Sequence, residues 1–275
     1  MTRRPVKLLA CQIEIPAMTN AQERGLHLAV AAEKVSASLR ETAADLVVLP
    51  ELSSMDYSRA AFDHLDVLAE PHDGPSYQCW RQVAQAHNCH VAYSFARRDD
   101  CGSYISLAVV NPKGTLIGHY DKLHLAQYGA SMEKDYFTRG DHLFTFSIHG
   151  LKFAPIICYD IRIPELTRSL VLDRGVDVIL HSGAYFRDES FATWHDFTTT
   201  RAMENQVFFL SLNRAGDDYG NSRFCRPWMD ENHPPVRFAE HAEQFINLVI
   251  DPAEIAQARQ GYSFLKDRLP SYKDL

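Results

Sequence analysis

Three reactive side chains stand directly beyond short apolar runs of this chain. Glu51 follows Leu46-Val47-Val48-Leu49-Pro50, Lys122 follows the stretch ending at His119-Tyr120, and Cys158 closes Ala154-Pro155-Ile156-Ile157. In open α/β sheets functional groups gather just outside the carboxyl ends of strands, so the three positions share a setting as well as reactivity. Cys158 carries a further signal, because Tyr159-Asp160 and a helix start come next. Backbone N–H groups and the dipole at such a start stabilise a thiolate or an oxyanion. Taken singly, each residue also has an ordinary role open to it: a solvated carboxylate for Glu51, an ion pair with Asp121 for Lys122, small core filler for Cys158. Spacing alone does not make them a site.

The elements that would carry these residues alternate between strand and helix signals. The apolar run ending at Cys11 continues as Gln12-Ile13-Glu14-Ile15 and reads as a first strand. Helices are expected over 21–40, 78–87, 164–173 (Pro164 in the first turn) and 193–205. Buried strands are expected at 45–49, 89–95, 176–180 and 207–212. Hairpins pair 104–110 with 115–119 across Asn111-Pro112-Lys113-Gly114, and 144–148 with 152–158 across His149-Gly150. Asp251-Pro252-Ala253-Glu254 forms a capping box before a last helix. No linker or composition break divides the chain and no fixed-period repeat appears. One α/β domain over residues 1–275, with about ten or more strands split between two sheets, is expected.

Composition narrows the function. Hydrophobic residues make up 46% and charged residues 23% of the 275, which excludes a disordered chain. Acidic residues outnumber basic ones, 35 to 28, for a net charge of −7, which argues against nucleic acid and anionic membrane surfaces as partners. No stretch approaches the roughly 20 apolar residues of a membrane span. Arg3-Arg4 before the run ending at Cys11 resembles a lipoprotein signal, but the run falls short of the roughly 7–15 residues of an h-region, so a cytoplasmic protein is expected. The six cysteines show no Cys-x-x-Cys pair or zinc-type spacing and read as reduced thiols. Nucleotide-binding glycine motifs, Gly-x-Ser-x-Gly and His-Glu-x-x-His are absent. His87 and His90 are close but straddle an expected helix end, so no metal site is assigned to them.

Five stretches carry a family resemblance. They are Leu49-Pro50-Glu51-Leu52, Tyr120-Asp121-Lys122-Leu123-His124-Leu125, the run Ile157-Cys158-Tyr159-Asp160-Ile161-Arg162-Ile163-Pro164-Glu165-Leu166, then Arg201-Ala202-Met203-Glu204-Asn205-Gln206 and Asn213-Arg214-Ala215-Gly216. In that order the chain resembles the nitrilase superfamily, the carbon–nitrogen hydrolases, from its first strand to its C-terminal tail. The resemblance implies a Glu51–Lys122–Cys158 constellation and a second glutamate, Glu133, seven residues before Gly140-Asp141. It also implies a four-layer αββα sandwich, helix-mediated pairing into a homodimer or higher homo-oligomer, and no metal or organic cofactor.

In the implied chemistry a Cys158 thiolate attacks the carbon of a C–N bond. Glu51 takes the thiol proton and passes one to the leaving nitrogen. Lys122 and the backbone N–H of Tyr159 face the oxyanion, worth roughly 3–4 kcal/mol per donor. Water activated by Glu51 then hydrolyses the thioester, while Glu133 orients Lys122 or the substrate amide. Tyr185, Phe186 and Trp194 follow the strand ending at His181-Ser182, where family members shape the acyl pocket; core packing accounts for Trp194 equally well. Arg162, Glu165 and Arg201 are expected as buried ion pairs beneath the site, with Arg162 alternatively meeting a substrate carboxylate. Trp228, after Pro227, stands where a small or acidic residue is usual in the family and puts the nearby pocket wall in question.

Two stretches point to different branches. Residues 133–141 resemble the carbamoyl-amide branches, whereas 158–162 are closer to the small-acid amide branch that includes the omega-amidases. The expected reaction is hydrolysis of a small linear amide with release of ammonia or an amine; N-carbamoyl hydrolysis is the alternative, and nitrile hydrolysis comes third. A catalytically silent binding relative would have lost Glu51, Lys122 or Cys158, and all three stand.

Overall fold

The computed structural model describes residues 3–273. The first half of the chain forms β1 (Val6–Gln12), α1 (Ala21–Glu41), β2 (Leu46–Val48), α2 (Arg59–Phe62), α3 (Leu65–Leu68), α4 (Pro75–His87), β3 (His90–Asp99), β4 (Gly102–Val110) and β5 (Leu116–Asp121). The second half forms β6 (Phe146–Ile148), β7 (Leu151–Ile157), α5 (Pro164–Leu172), β8 (Val178–Ser182), α6 (Phe191–Asn205) and β9 (Phe208–Leu212). It ends in β10 (Arg223–Cys225), β11 (Val236–Arg237), β12 (Gln244–Ile250), α7 (Pro252–Gly261) and α8 (Phe264–Asp267). Two 3-10 turns are also present, Glu133–Asp135 between β5 and β6 and Cys158–Arg162 between β7 and α5.

Local chemistry sets the element ends. The Asn20 side chain accepts from the Gln22 and Glu23 N–H groups and caps α1. Pro75, Pro164 and Pro252 each occupy a first helical turn, where the missing N–H has no intrahelical acceptor to lose. Pro75 explains why α4 begins earlier than the expected 78. Asn88 and Gln206 adopt left-handed conformations that end α4 and α6. His87 closes α4 and His90 opens β3, so the two histidines do straddle the helix end.

The strands form two six-stranded sheets, ordered β12-β1-β2-β3-β4-β5 and β11-β10-β9-β8-β7-β6. Each contains a parallel trio, β1-β2-β3 or β7-β8-β9, continued on both sides by antiparallel neighbours. Strands covered on both faces read as unbroken apolar runs, and Leu46-Val47-Val48 and Val178-Ile179-Leu180 are fully buried. Helices α1 and α4 pack together on the first sheet, and α5 and α6 together on the second, giving the expected αββα sandwich. A continuous apolar core joins the sheets. Polar ties reinforce it: Ser182 Oγ donates to the Leu49 carbonyl at 2.9 Å, and Ala215 N–H to Ile13 at 2.8 Å. No described helix is long and apolar enough to cross a membrane.

Strand β5 runs on to Asp121, past the expected end at 119, because Asp121 has a partner inside the sheet. Arg97 of β3 reaches it with Nε at 3.0 Å from Oδ1 and Nη2 at 2.8 Å from Oδ2, and the Ser106 hydroxyl bonds the same carboxylate. Burial disfavours the Asp121 charge, but bonds from His119, Arg97 and Ser106 outweigh it and hold the carboxyl well below its usual range. The pair pins the strand end immediately before Lys122.

One expected charge cluster does not form. Glu165 is exposed on the first turn of α5, where a carboxylate stays hydrated and meets the positive end of the helix dipole, so no buried partner is needed. Arg201 instead pairs with Glu204 at 3.0 Å and donates to the Ile161 carbonyl, while Arg162 lies against Tyr128.

Candidate active site

The loop leaving β2 delivers Glu51, the residue after β5 is Lys122, and the first 3-10 turn begins with Glu133; all three are fully buried. Lys122 Nζ donates to Glu51 Oε1 at 2.8 Å and to Glu133 Oε1 at 2.6 Å. The remaining carboxylate oxygens are also engaged. Glu51 Oε2 accepts the Ala184 N–H at 2.8 Å, and Glu133 Oε2 accepts the Ala126 N–H at 2.8 Å. Tyr57 donates its hydroxyl to Glu133 Oε1 at 2.7 Å. Burial disfavours the lysine charge, yet the charges of Glu133 and Glu51 overcome it and push the Lys122 pKa well up, so the ammonium stays charged. Burial, aided by Glu51, raises the Glu133 carboxyl against the pull of Lys122. Glu133 is therefore a fixed partner of Lys122 rather than a solvated loop carboxylate.

Close packing brings the 133–141 segment against Lys122. Gly140 N–H donates to the Lys122 carbonyl at 2.9 Å, and a Cβ at Gly140 would fall 2.2 Å from the Asp121 carbonyl oxygen. Only glycine fits there.

Cys158 turns the chain from β7 into the second 3-10 turn with a φ of +44°, a left-handed conformation that costs a non-glycine residue about 1–3 kcal/mol. Asp160 anchors the turn: it accepts the Ile157 N–H at 2.9 Å, the Tyr120 hydroxyl at 2.7 Å, and the His124 N–H and ring at 3.1 and 2.7 Å. One carboxylate thus ties the cysteine turn to the segment carrying Lys122. Cys158 alone of the four retains surface, 8%, against 0% for Glu51, Lys122 and Glu133.

Burial, then the charge of Glu51, pushes the Cys158 thiol well above its ordinary pKa, with Lys122 and the Ala184 N–H pulling the other way. The direction agrees with the expected chemistry, in which Glu51 takes a proton from the thiol. Two carboxylates outnumber one ammonium in a dry site, and their charges disfavour a third anion on the sulfur. The group at rest is a thiol.

The other expected site residues fall into two sets. Tyr185 is buried and donates its hydroxyl to the Cys158 carbonyl at 3.0 Å. Trp194 is wholly buried, stacks on the Tyr185 ring at 4.6 Å and donates Nε1–H to Ser211 Oγ at 2.8 Å, so it supports Tyr185 from within the core. Phe186 is half-buried, edge-on to Tyr219. Arg162 donates through Nε to the Tyr128 hydroxyl at 3.1 Å and lies 5.0 Å from the Phe197 ring centroid, while its buried Nη2 has no partner. Tyr159 is second in its turn, where N–H groups have no acceptor within the turn. Trp228 stacks on Tyr262 with ring centroids 3.6 Å apart, so the departure from the family pattern is taken up by the C-terminal segment.

Sequence reasoning missed several supports. Arg214 donates to the carbonyls of Glu51 at 3.1 Å, Leu52 at 2.9 Å and Met55 at 2.8 Å, holding the Glu51 loop where Leu52 takes a φ of +46°. Its place in Asn213-Arg214-Ala215-Gly216 was the available signal. Ala184 could have been sought just beyond a strand end. Tyr57 and Tyr128 lie in loops with no signal of their own.

A model of the carbon–nitrogen hydrolase family matches residues 8–260. The chain is 34% identical over 231 residues to 2-oxoglutaramate amidase of Bacillus subtilis, covering 82% of this chain and 85% of that protein. It is 28% identical over 237 residues to omega-amidase NIT2 of Homo sapiens, covering 81% and 83%. Nit3 of Saccharomyces cerevisiae, described as a member of branch 10 of the nitrilase superfamily, superposes with a TM-score of 0.83 at 23% identity over 99% of this chain and 97% of that one, and shares its fold. With the family match spanning both sheets, the chain belongs to the carbon–nitrogen hydrolases.

Proposed function

We propose that this protein hydrolyses the C–N bond of a small linear amide through a thioester on Cys158, releasing ammonia or an amine. The observation that carries the reading is a charged Lys122 clamped between Glu51 and Glu133, fully buried, with its charge and that of Glu51 acting on the Cys158 thiol. Because the thiol is neutral at rest, Glu51 takes its proton as the Cys158 sulfur bonds to the amide carbon, and the carbonyl electron pair moves to oxygen. Lys122 Nζ and the Tyr159 N–H stabilise that oxyanion. Glu51 passes the proton to nitrogen, the C–N bond breaks and the amine leaves. Water then attacks the thioester, giving its proton to Glu51; the C–S bond breaks and the sulfur recovers its proton. Lys122 keeps its charge throughout, and Glu133 fixes the direction of Nζ.

The unpartnered Nη2 of Arg162, with aromatic rings on its flanks, favours a substrate bearing a carboxylate. Relatives named as a 2-oxoglutaramate amidase and an omega-amidase support an amide over an N-carbamoyl substrate. We also take the chain to form a homodimer, with its C-terminal segment contributing apolar surface to the contact. Tyr262, Phe264 and Tyr272 keep 39%, 46% and 62% of their surface exposed, apolar area of the kind a partner covers, and a monomer mass by light scattering would exclude it.

The test is product analysis over short amides with and without a terminal carboxylate, N-carbamoyl acids and nitriles. Ammonia release from acid-bearing amides, an acyl adduct on Cys158, and no release by Cys158→Ala are expected. Equal release by Cys158→Ala overturns the mechanism, and preference for N-carbamoyl compounds overturns the substrate class. Arg162→Met raises KM for acid-bearing amides and leaves neutral ones unchanged; equal effects on both would remove Arg162 from substrate recognition.

A further inference from the structure

We infer that His181 is a positioning residue for the oxyanion donor: with Tyr185 it holds the Cys158 carbonyl, and thereby aims the Tyr159 N–H. His181 lies in β8, is 1% exposed and sits in register with Ser211 of β9. Its Nε2 is 2.9 Å from the Cys158 carbonyl oxygen and its Nδ1 is 2.7 Å from Ser211 Oγ. A carbonyl only accepts, so Nε2 carries the proton and Nδ1 accepts from the Ser211 hydroxyl. Ser211 Oγ in turn accepts the Trp194 indole N–H at 2.8 Å. The donors therefore run in one direction, from Trp194 through Ser211 and His181 to Cys158. Burial lowers the His181 pKa to about 4, in keeping with a neutral ring that uses one nitrogen as acceptor.

The Tyr185 hydroxyl meets the same oxygen at 3.0 Å, which occupies both its lone pairs. The consequence lies across the peptide plane. The Cys158–Tyr159 bond is planar and trans, so its C=O and N–H point in opposite directions, and fixing the oxygen fixes the N–H. Cys158 is in a strained left-handed conformation at this point, where a carbonyl without donors would be free to tilt. Hydrogen bonds at the oxygen also polarise the amide and strengthen its N–H as a donor. The inference rests on the proposed thioester mechanism, in which that N–H receives the oxyanion.

The test compares His181→Leu, which removes the donor, with His181→Gln, whose amide restores one near the position of Nε2. In His181→Leu, kcat for an amide substrate falls about 10- to 100-fold with KM nearly unchanged, and His181→Gln recovers most of the loss. Alkylation of Cys158 by iodoacetamide passes through no oxyanion and stays within about threefold of wild type in both. A parallel drop in alkylation and turnover, or unchanged turnover in His181→Leu, overturns the proposal.

A second readout needs no substrate. Cys158-Tyr159 is the one Cys-Tyr pair in the chain, so labelling cysteine carbonyls with ¹³C and tyrosine nitrogens with ¹⁵N isolates a single amide resonance. That resonance moves in His181→Leu and returns in His181→Gln; an unmoved resonance overturns the proposal. Wild-type protein that releases no amine through Cys158 would defeat the proposed function instead, with the resonance still deciding whether His181 positions the amide.

Discussion

Burial pushes the thiols of Cys79, Cys89 and Cys225 up to about 11, 12 and 12, and it pushes Cys158 up as well. Acidity therefore does not separate the proposed nucleophile from core filler; neighbouring charge and backbone conformation do. Lys122 depends on both carboxylates. Glu133→Gln is expected to lower kcat by about 10²- to 10⁴-fold while a folded protein is retained, as measured by steady-state kinetics with circular dichroism as control. A pH effect follows from His181. An unfolded imidazole binds a proton near pH 6.5 and the buried ring only near 4, so between those values the unfolded state holds more protons and stability falls as pH drops. The loss approaches about 3 kcal/mol below that window, and denaturant titrations at pH 7 and 4.5 should show a smaller drop for His181→Gln than for wild type. Glu51, Lys122, Glu133 and Cys158 were legible because each sits beside a strand or within a family motif. The work of His181 was not, since a tautomer and a donor direction exist only once β8 and β9 are in register.

Elements hold these residues through a few contacts that resist substitution. Gly140→Ala would drive a methyl into the Asp121 carbonyl and push the 133–141 segment off Lys122. A melting temperature several degrees lower and a large loss of kcat are expected, whereas Gly25→Ala, on an open face of α1, should leave kcat unchanged and raise the melting temperature slightly. The order of strands and helices was readable throughout, because buried parallel strands and amphipathic helices leave different patterns. Their ends were less readable: Arg97 prolongs β5 from 24 residues away in sequence, and no local pattern announces it. Glu165 shows the opposite failure. It shares a motif with Cys158 and Arg162, yet motif neighbours on the first turn of a helix need not face the same side.

Across the whole molecule the two sheets share one plan, a parallel trio with antiparallel additions, although no repeat is visible in the sequence. Burial constrains such a plan to apolar runs, and many apolar sequences satisfy it. Trp228 belongs to this scale, stacking on Tyr262 to hold the C-terminal segment. Trp228→Ala should speed amide hydrogen exchange around 258–267 with kcat unchanged, a loss of about 0.5–1.5 kcal/mol locally.

The Glu51 carboxylate takes one hydrogen bond from Lys122, at the end of a strand in the first sheet, and one from Ala184, just past a strand of the second; Arg214 spans the same seam to hold the Glu51 carbonyl. Glu51, the proposed general base, is thus a rivet between layers, and its aim records how the sheets sit on one another. Small slips of one layer past the other, too slight to alter secondary structure, should appear first as lost turnover. Inactivation under gentle heating or low denaturant would then precede unfolding, making catalysis the most sensitive gauge of the sandwich's alignment.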